Sequence, residues 1–148
     1  MRWVILLGLA FSPTMADPML AAHNAVRAKL KLPPLAWSDK LAKAAQEWAD
    51  TLIKDGTFRH PAKLSWGQNL FEVLGGEYLP AQVVEGWASE AAEYDYKTNR
   101  CTGTCGHYTQ LVWRDTKEVG CAVARQGNRE VWACDYAPPG NYIGMRSY

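Results

Sequence analysis

The stretch GCAVARQGNREVWACDYA, residues 120–137, reads as two strands and the turn between them. Val, Trp and Tyr recur through residues 120–125 and 130–137, and Gly127-Asn128 supplies the backbone freedom that a tight reversal needs. Cys121 and Cys134 lie on opposite arms, so a bridge between them would tie the hairpin across its ladder. Just upstream, residues 108–114 (YTQLVWR) read as a further strand, and residues 99–106 as a Gly- and Thr-rich loop holding Cys101 and Cys105.

The first half of the chain has a different period. Residues 18–30 open with Pro18, tolerated in a first helical turn, and carry Met19, Ala22, Val26 and Leu30 at helical spacing, ending before Pro33-Pro34. Ser38 is a natural N-cap, and Leu41, Ala44, Ala45, Trp48 and Leu52 follow as an apolar stripe until Gly56. Pro80 starts a third helix with Val83, Val84, Trp87, Ala91 and Tyr94 on one face. Glu90 interrupts that face: at about 100° per residue it lies about 20° from Val83, so its carboxylate points inward and needs a partner. Residues 57–76 mix aromatics with Gly67, Gly75 and Gly76, show no sustained period, and read as loop with one short strand around residues 70–73. Helices first and an antiparallel meander last define an α+β domain with helices covering a sheet.

At the N-terminus Arg2 precedes an apolar run, residues 3–11, broken only by Gly8, and SPTMA, residues 12–16, ends on a small side chain. Crossing a bilayer takes about 20 apolar residues, so residues 1–16 read as a signal peptide cleaved after Ala16, leaving 17–148 as one exported domain. The chain is 48% hydrophobic and 21% charged, the balance of a globular domain with a sizeable core. Lys plus Arg number 16 against 15 Asp plus Glu, a balance that becomes even once Arg2 is removed. No basic run or stripe is present, which excludes nucleic acid and anionic membrane as partners. The expected product is a soluble monomer without a transmembrane anchor, extracellular or periplasmic.

Four cysteines in an exported chain suit two disulfides. Three connectivities are open, and pairing of sequence neighbours, Cys101 with Cys105 and Cys121 with Cys134, is the one adopted. Neither spacing forms the close Cys-x2-Cys knuckle of a structural zinc site. Ser38, Ser65 and Ser89 lack a nucleophile-elbow pattern and no cysteine is left over, so covalent hydrolase chemistry has no support.

GHYTQLVW (residues 106–113) and VWACDYAPPGNY (residues 131–142) resemble the two signatures of the CAP superfamily. This secreted group includes cysteine-rich secretory proteins, antigen 5 and plant pathogenesis-related protein 1, the last being nearest in look. HNAVR (23–27) and GQNL (67–70) resemble two shorter motifs of the same family, in the same order. The resemblance spans nearly all of residues 17–148 and implies an α-β-α sandwich with a central antiparallel sheet flanked by helices. It also supports the neighbour pairing of the cysteines.

Family members build a central cavity from two histidines and two acids, which fall here on His60, Gln68, Glu90 and His107. By the same resemblance His60 and His107 would hold a divalent metal such as zinc, with Glu90 behind them fixing a tautomer. Two departures bear on this. The family's usual Glu is Gln68, an amide that adds no charge and cannot act as a base, so the expected metal site is weak. Asp135 replaces the Asn or similar polar residue usual after that cysteine. Glu72 is an alternative source of the missing acid. His23 and Arg27, one helical turn apart, are read as structural. Trp48 and Trp87 fall on buried stripes and are read as core, whereas Trp37, Trp66 and Trp113 are freer.

The resemblance implies a secreted binding protein that takes a lipid, a sterol-like or another small ligand in an apolar groove, or a protein partner, while the polar cavity takes a weak metal. The competing reading is a metal-dependent hydrolase in which His60 and His107 hold zinc and Glu90 activates water. The binding reading is preferred because Gln68 weakens the hydrolase. The tail PPGNYIGMRSY (138–148) resembles a segment that some plant members release as a signalling peptide, with Ser147 where the plant pattern has Pro. Its residues themselves read as a turn at Pro139-Gly140-Asn141 that lays Tyr142 and Ile143 against the core.

Overall fold

A computed structural model describes residues 16–148, so the expected signal peptide, apart from Ala16, lies outside the described residues. Helix α1 (Ala16–Lys29) leads through the short strand β1 (Ala36–Trp37) to α2 (Asp39–Asp55). Strand β2 (Gly67–Leu74) and α3 (Pro80–Ala88) follow, α3 continuing into a 3-10 turn (Ser89–Glu93). A small hairpin of β3 (Tyr94–Asp95) and β4 (Arg100–Cys101) precedes α4 (Gly106–Leu111), and β5 (Glu118–Gln126) and β6 (Arg129–Ala137) complete the sheet.

The β5–β6 hairpin is the spine. Gln126 opposes Arg129 across the Gly127-Asn128 turn, and that register places Cys121 directly opposite Cys134, where they form a disulfide. The second disulfide joins Cys101 to Cys105, as the sequence reading expected. Strand β2 pairs antiparallel with β6, and the two-residue β1 adds to β5 in parallel, giving the order β1-β5-β6-β2 with β2 at an edge. Alternation along the strands sends Val119, Cys121, Trp132, Cys134 and Tyr136 to one face and Ala122, Ala124, Val131 and Ala133 to the other. Helix α2 covers the second face with Ala45, Ala49 and Leu52. Alanine meets alanine there, so helix and sheet approach closely. At Gly120 a Cβ would collide with the Ala42 backbone nitrogen, which is why no side chain stands where α2 begins. Helices α1, α3 and α4 gather on the first face, completing an α+β sandwich with helices on both sides of the sheet.

Helix α2 has both of its expected ends. The Ser38 hydroxyl accepts a hydrogen bond from Leu41 N at 3.2 Å, and Gly56 closes the helix at φ 65°, a left-handed conformation that costs glycine little. Helix α1 differs from its reading. Its fully buried face is Met19, His23 and Arg27, while the apolar stripe Ala22, Val26 and Leu30 is only partly buried. Arg27 donates to Pro33 O at 2.8 Å, Leu111 O at 3.0 Å and Trp113 O at 2.8 Å, directing its charge at carbonyls around the end of α4. Burial lowers its pKa to about 10, so it stays cationic. The His23 Nδ1–H donates to Met19 O and its Nε2 accepts from the Tyr136 hydroxyl, each at 2.8 Å. Burial drops the His23 pKa to about 4, leaving the ring neutral.

Other expectations change as well. Residues 108–114 form no strand: residues 106–111 are α4, whose Tyr108, Leu111 and the following Val112 are buried together at helical spacing. A short apolar run does not distinguish helix from strand by itself. The short strand at 70–73 grows to the eight residues of β2, because β6 offers a ladder from Tyr136 to Arg129. The third helix loses its α geometry after Ala88, which leaves Ala91 exposed. Trp113 is buried and Trp48 half-buried, the reverse of their expected roles. In the tail, Tyr142 and Ile143 stand in solvent rather than against the core. The tail is held instead by its ends. Asn141 Nδ2 donates to Gly106 O at 2.8 Å, Arg114 N donates to Ser147 O at 2.7 Å, and Tyr148 stacks on Tyr96 with centroids 4.3 Å apart.

Candidate functional site

The four expected cavity residues form two pairs on either side of edge strand β2. On the α2 side, His60 sits in the loop that leaves α2, exposed to solvent. Its neighbour Arg59 is anchored twice to Trp48: Arg59 O accepts from the indole N–H at 3.0 Å, and the guanidinium lies 5.0 Å above the ring. His60 Nδ1 is 2.9 Å from Gln68 Oε1, and Gln68 Nε2 donates to Asp135 Oδ1 at 2.8 Å. Gln68 and Asp135 are direct partners in the β2–β6 register. Asp135 is only 1% exposed, and burial raises its carboxyl pKa to about 6 against the hydrogen bond from Gln68. The Trp66 side chain lies beside the same carboxylate, but its buried indole N–H makes no hydrogen bond of sound geometry. Trp48, Leu64, Trp66 and Lys63 wall a hollow of about 270 Å³ over Gln68 and Asp135.

On the other side, the 3-10 turn after α3 carries Glu90 to α4. Glu90 Oε1 accepts from His107 Nδ1 at 2.6 Å, and Oε2 accepts from Tyr108 N at 2.9 Å. Both carboxylate oxygens are therefore engaged in holding His107 and the first turn of α4. The His107 ring lies nearly parallel to Trp87, 14° apart with centroids 6.3 Å apart. Its backbone carbonyl accepts from Asn69 Nδ2 at 3.0 Å. The inward phase read for Glu90 thus has its partner. Glu72 does not reach the cavity: Oε2 binds Arg129 Nε at 2.6 Å, and Arg129 also ties Leu52 O and Thr57 O.

Asn69 is a site residue that sequence reading did not single out. Besides His107 O, its amide reaches the Tyr136 hydroxyl at 3.2 Å, which in turn donates to His23. Asn69 lies within the GQNL motif, but its contacts depend on the strand face it takes, and that face depends on a register fixed by β6.

Imidazole nitrogens are ligands that suit a divalent metal such as zinc. The Nδ1 of each ring faces an oxygen, Gln68 Oε1 for His60 and Glu90 Oε1 for His107, and an imidazole that donates Nδ1–H keeps its Nε2 as the lone-pair donor. Among the described residues, the trio with ligand atoms within 4.8 Å of one another is His23, Cys121 and Cys134. Those cysteines form a disulfide and both His23 nitrogens are already hydrogen-bonded, so this trio has no thiolate and no free lone pair to offer. Elsewhere, α1 and α3 enclose an apolar groove of about 220 Å³ along Val26, Leu30, Ala88, Ala91 and Tyr108, with Lys29 in its wall. A second hollow of about 270 Å³ shares Val26, Lys29 and Ala88 and extends it past Ala22, Ala81 and Val84.

The cysteine-rich secretory protein family, CAP, matches residues 20–136. The chain is 39% identical over 128 residues to pathogenesis-related protein 1 of Arabidopsis thaliana, covering 86% of this chain and 78% of that protein. It is 42% identical over 132 residues to pathogenesis-related protein 1A of Nicotiana tabacum, covering 87% and 78%. Among solved structures, venom allergen-like protein 4 of Schistosoma mansoni superposes with a TM-score of 0.75 at 27% identity, over 93% of this chain and 95% of that one. The crystal structure of NaASP2 with Zn2+ gives 0.73 at 24% identity, over 95% and 88%, a likeness of fold.

Proposed function

The chain belongs to the cysteine-rich secretory protein family, CAP, and from that premise we propose that it is an exported binding protein that takes an extended lipid or sterol-like ligand between α1 and α3. The observation that carries this reading is the inversion of α1. Its polar residues His23 and Arg27 are the buried ones, and its apolar stripe Ala22, Val26 and Leu30 is left half open against α3. An apolar stripe that packs on the core with one side only keeps its other side available to an apolar ligand. The small side chains of Ala22, Ala81 and Ala88 keep the channel open, and the Lys29 ammonium suits a carboxylate or hydroxyl head at its wall. Two disulfides suit an oxidising compartment, and among the described residues no helix is long and apolar enough to cross a membrane.

The second part of the reading is a weak divalent-metal site on the Nε2 atoms of His60 and His107, with Gln68 and Glu90 orienting the rings. A bound zinc would supply Lewis-acid polarisation there. Gln68, an amide where a hydrolase would want an acid, favours binding over hydrolysis. The groove is tested by titrating the protein with cis-parinaric acid and a fluorescent sterol, alongside Ala88→Phe, which fills the channel. Binding in the wild type and at least tenfold weaker binding in the variant, at unchanged circular dichroism, is the expected result. Equal binding by the two proteins, or none by the wild type, overturns the groove.

A further inference from the structure

We propose that Asp135 is the positioning residue of the His60 arm, acting through the Gln68 amide to fix which nitrogen of His60 carries the proton. This rests on the reading of His60 as a cavity ligand.

The geometry leaves one arrangement. Asp135 is 1% exposed and stands opposite Gln68 in the β2–β6 ladder, with its Oδ1 2.8 Å from Gln68 Nε2. An ionised carboxylate only accepts hydrogen bonds, so the amide nitrogen of Gln68 must face Asp135. The amide oxygen must then face His60, 2.9 Å from Nδ1, and an oxygen acceptor there requires Nδ1–H. The Nε2 lone pair is left outward, available to a metal or to a donor on a ligand. Even with its pKa raised to about 6, the carboxyl is ionised at pH 7.5, where this logic applies. His107 reaches the same tautomer directly, because Glu90 is its acceptor. One arm therefore uses a carboxylate in contact, and the other a carboxylate one amide away.

Position 135 decides the polarity of the relay. In Asp135→Asn both partners of the cross-strand pair are amides, either of which can donate or accept, so Gln68 can turn over and offer its nitrogen to His60. In Gln68→Glu, with Asp135 retained, two carboxylates face each other within hydrogen-bond distance in a buried place and compete for one proton. When both substitutions are made, the amide introduced at position 135 donates to the carboxylate introduced at position 68. That carboxylate accepts from His60, and the original polarity is restored.

The experiment compares wild type, Asp135→Asn, Gln68→Glu and the double variant by long-range 1H–15N correlation spectra of the imidazoles at pH 7.5, without metal, alongside thermal melts. The wild type and the double variant should show His60 in the Nδ1–H form. Asp135→Asn should show a mixture, with His107 unchanged, and Gln68→Glu should melt several degrees below the double variant. Zinc titration should then give several-fold weaker binding in Asp135→Asn and at least wild-type binding in the double variant. A pure Nδ1–H His60 in Asp135→Asn, or equal melting of Gln68→Glu and the double variant, overturns the proposal. Absence of zinc binding by the wild type overturns the metal reading alone, since the tautomer is read without metal.

Discussion

Replacing Asp135 by Asn should change the shape of the stability curve between pH 4 and 7, because two buried groups titrate there in opposite senses. Asp135 has its pKa raised from 3.8 to about 6, mainly by burial, so the folded protein holds this proton more tightly than the unfolded chain. The stabilisation is complete below the unfolded value and is lost as pH rises through about 6; the difference in proton affinity corresponds to about 3 kcal/mol. His23 runs the other way. Its pKa falls from 6.5 to about 4 on burial, so its contribution is present above the unfolded value and lost as pH falls through about 4. That difference also corresponds to about 3 kcal/mol. In the wild type the two slopes nearly cancel. In Asp135→Asn only the His23 slope remains, and stability should climb with pH across the window. Every other group is common to both proteins, so the difference between their unfolding free energies isolates Asp135. Urea denaturation at half-unit intervals from pH 4 to 7 should show that difference growing by about 2 to 3 kcal/mol in the variant's favour. Curves that stay parallel across the window would refute the assignment of a raised pKa to this carboxylate.

Two further perturbations test the frame around the site. Arg27→Met removes the donor to three short carbonyl contacts, and at about 1.5–3 kcal/mol for a hydrogen bond to a charged group the loss should reach about 4 kcal/mol or more. A shift below about 1 kcal/mol in urea unfolding would show that the guanidinium is dispensable there. In the tail, Tyr148→Ala should cost about 1–2 kcal/mol through its stack on Tyr96, while the fully exposed Ile143→Ser should stay within about 0.5 kcal/mol. Equal effects of the two in thermal melts would mean that the tail is not held by its ends.

The parts of the fold that were legible in sequence are those whose signals are local. The hairpin announced itself through Gly127-Asn128, which fixes the register and with it the Cys121–Cys134 opposition. Helix α2 carried its cap at Ser38, its stop at Gly56 and a stripe between them. Helix α1 carried equally clear periodicity, yet of its expected stripe only Met19 is fully buried, beside His23 and Arg27, which were rightly read as structural. The carbonyls that offset the burial of Arg27 come from residues 33, 111 and 113, and no feature of the helix itself points to them. Helix α4 is six residues long, too short for its period to outweigh strand-forming residues such as Val112 and Trp113. Glu90 was legible because it lies two residues beyond the end of α3, where the change to a 3-10 turn has not yet carried it off the inward face.

The site itself is a property of pairing between distant segments. Gln68 and Asn69 are adjacent, and on a strand adjacent residues point to opposite faces, so β2 serves both histidine arms at once. Gln68 joins His60 to Asp135 on the α2 face. Asn69 holds the His107 carbonyl and the Tyr136–His23 chain on the other. A slip of β2 by one residue would exchange the two side chains and break both arms together. That register is set against β6, whose own register is locked to β5 by the hairpin turn and the Cys121–Cys134 bridge. The bridge therefore does more than limit the unfolded chain. It holds the strand against which Gln68 meets Asp135, and through that pair it bears on the proton of His60.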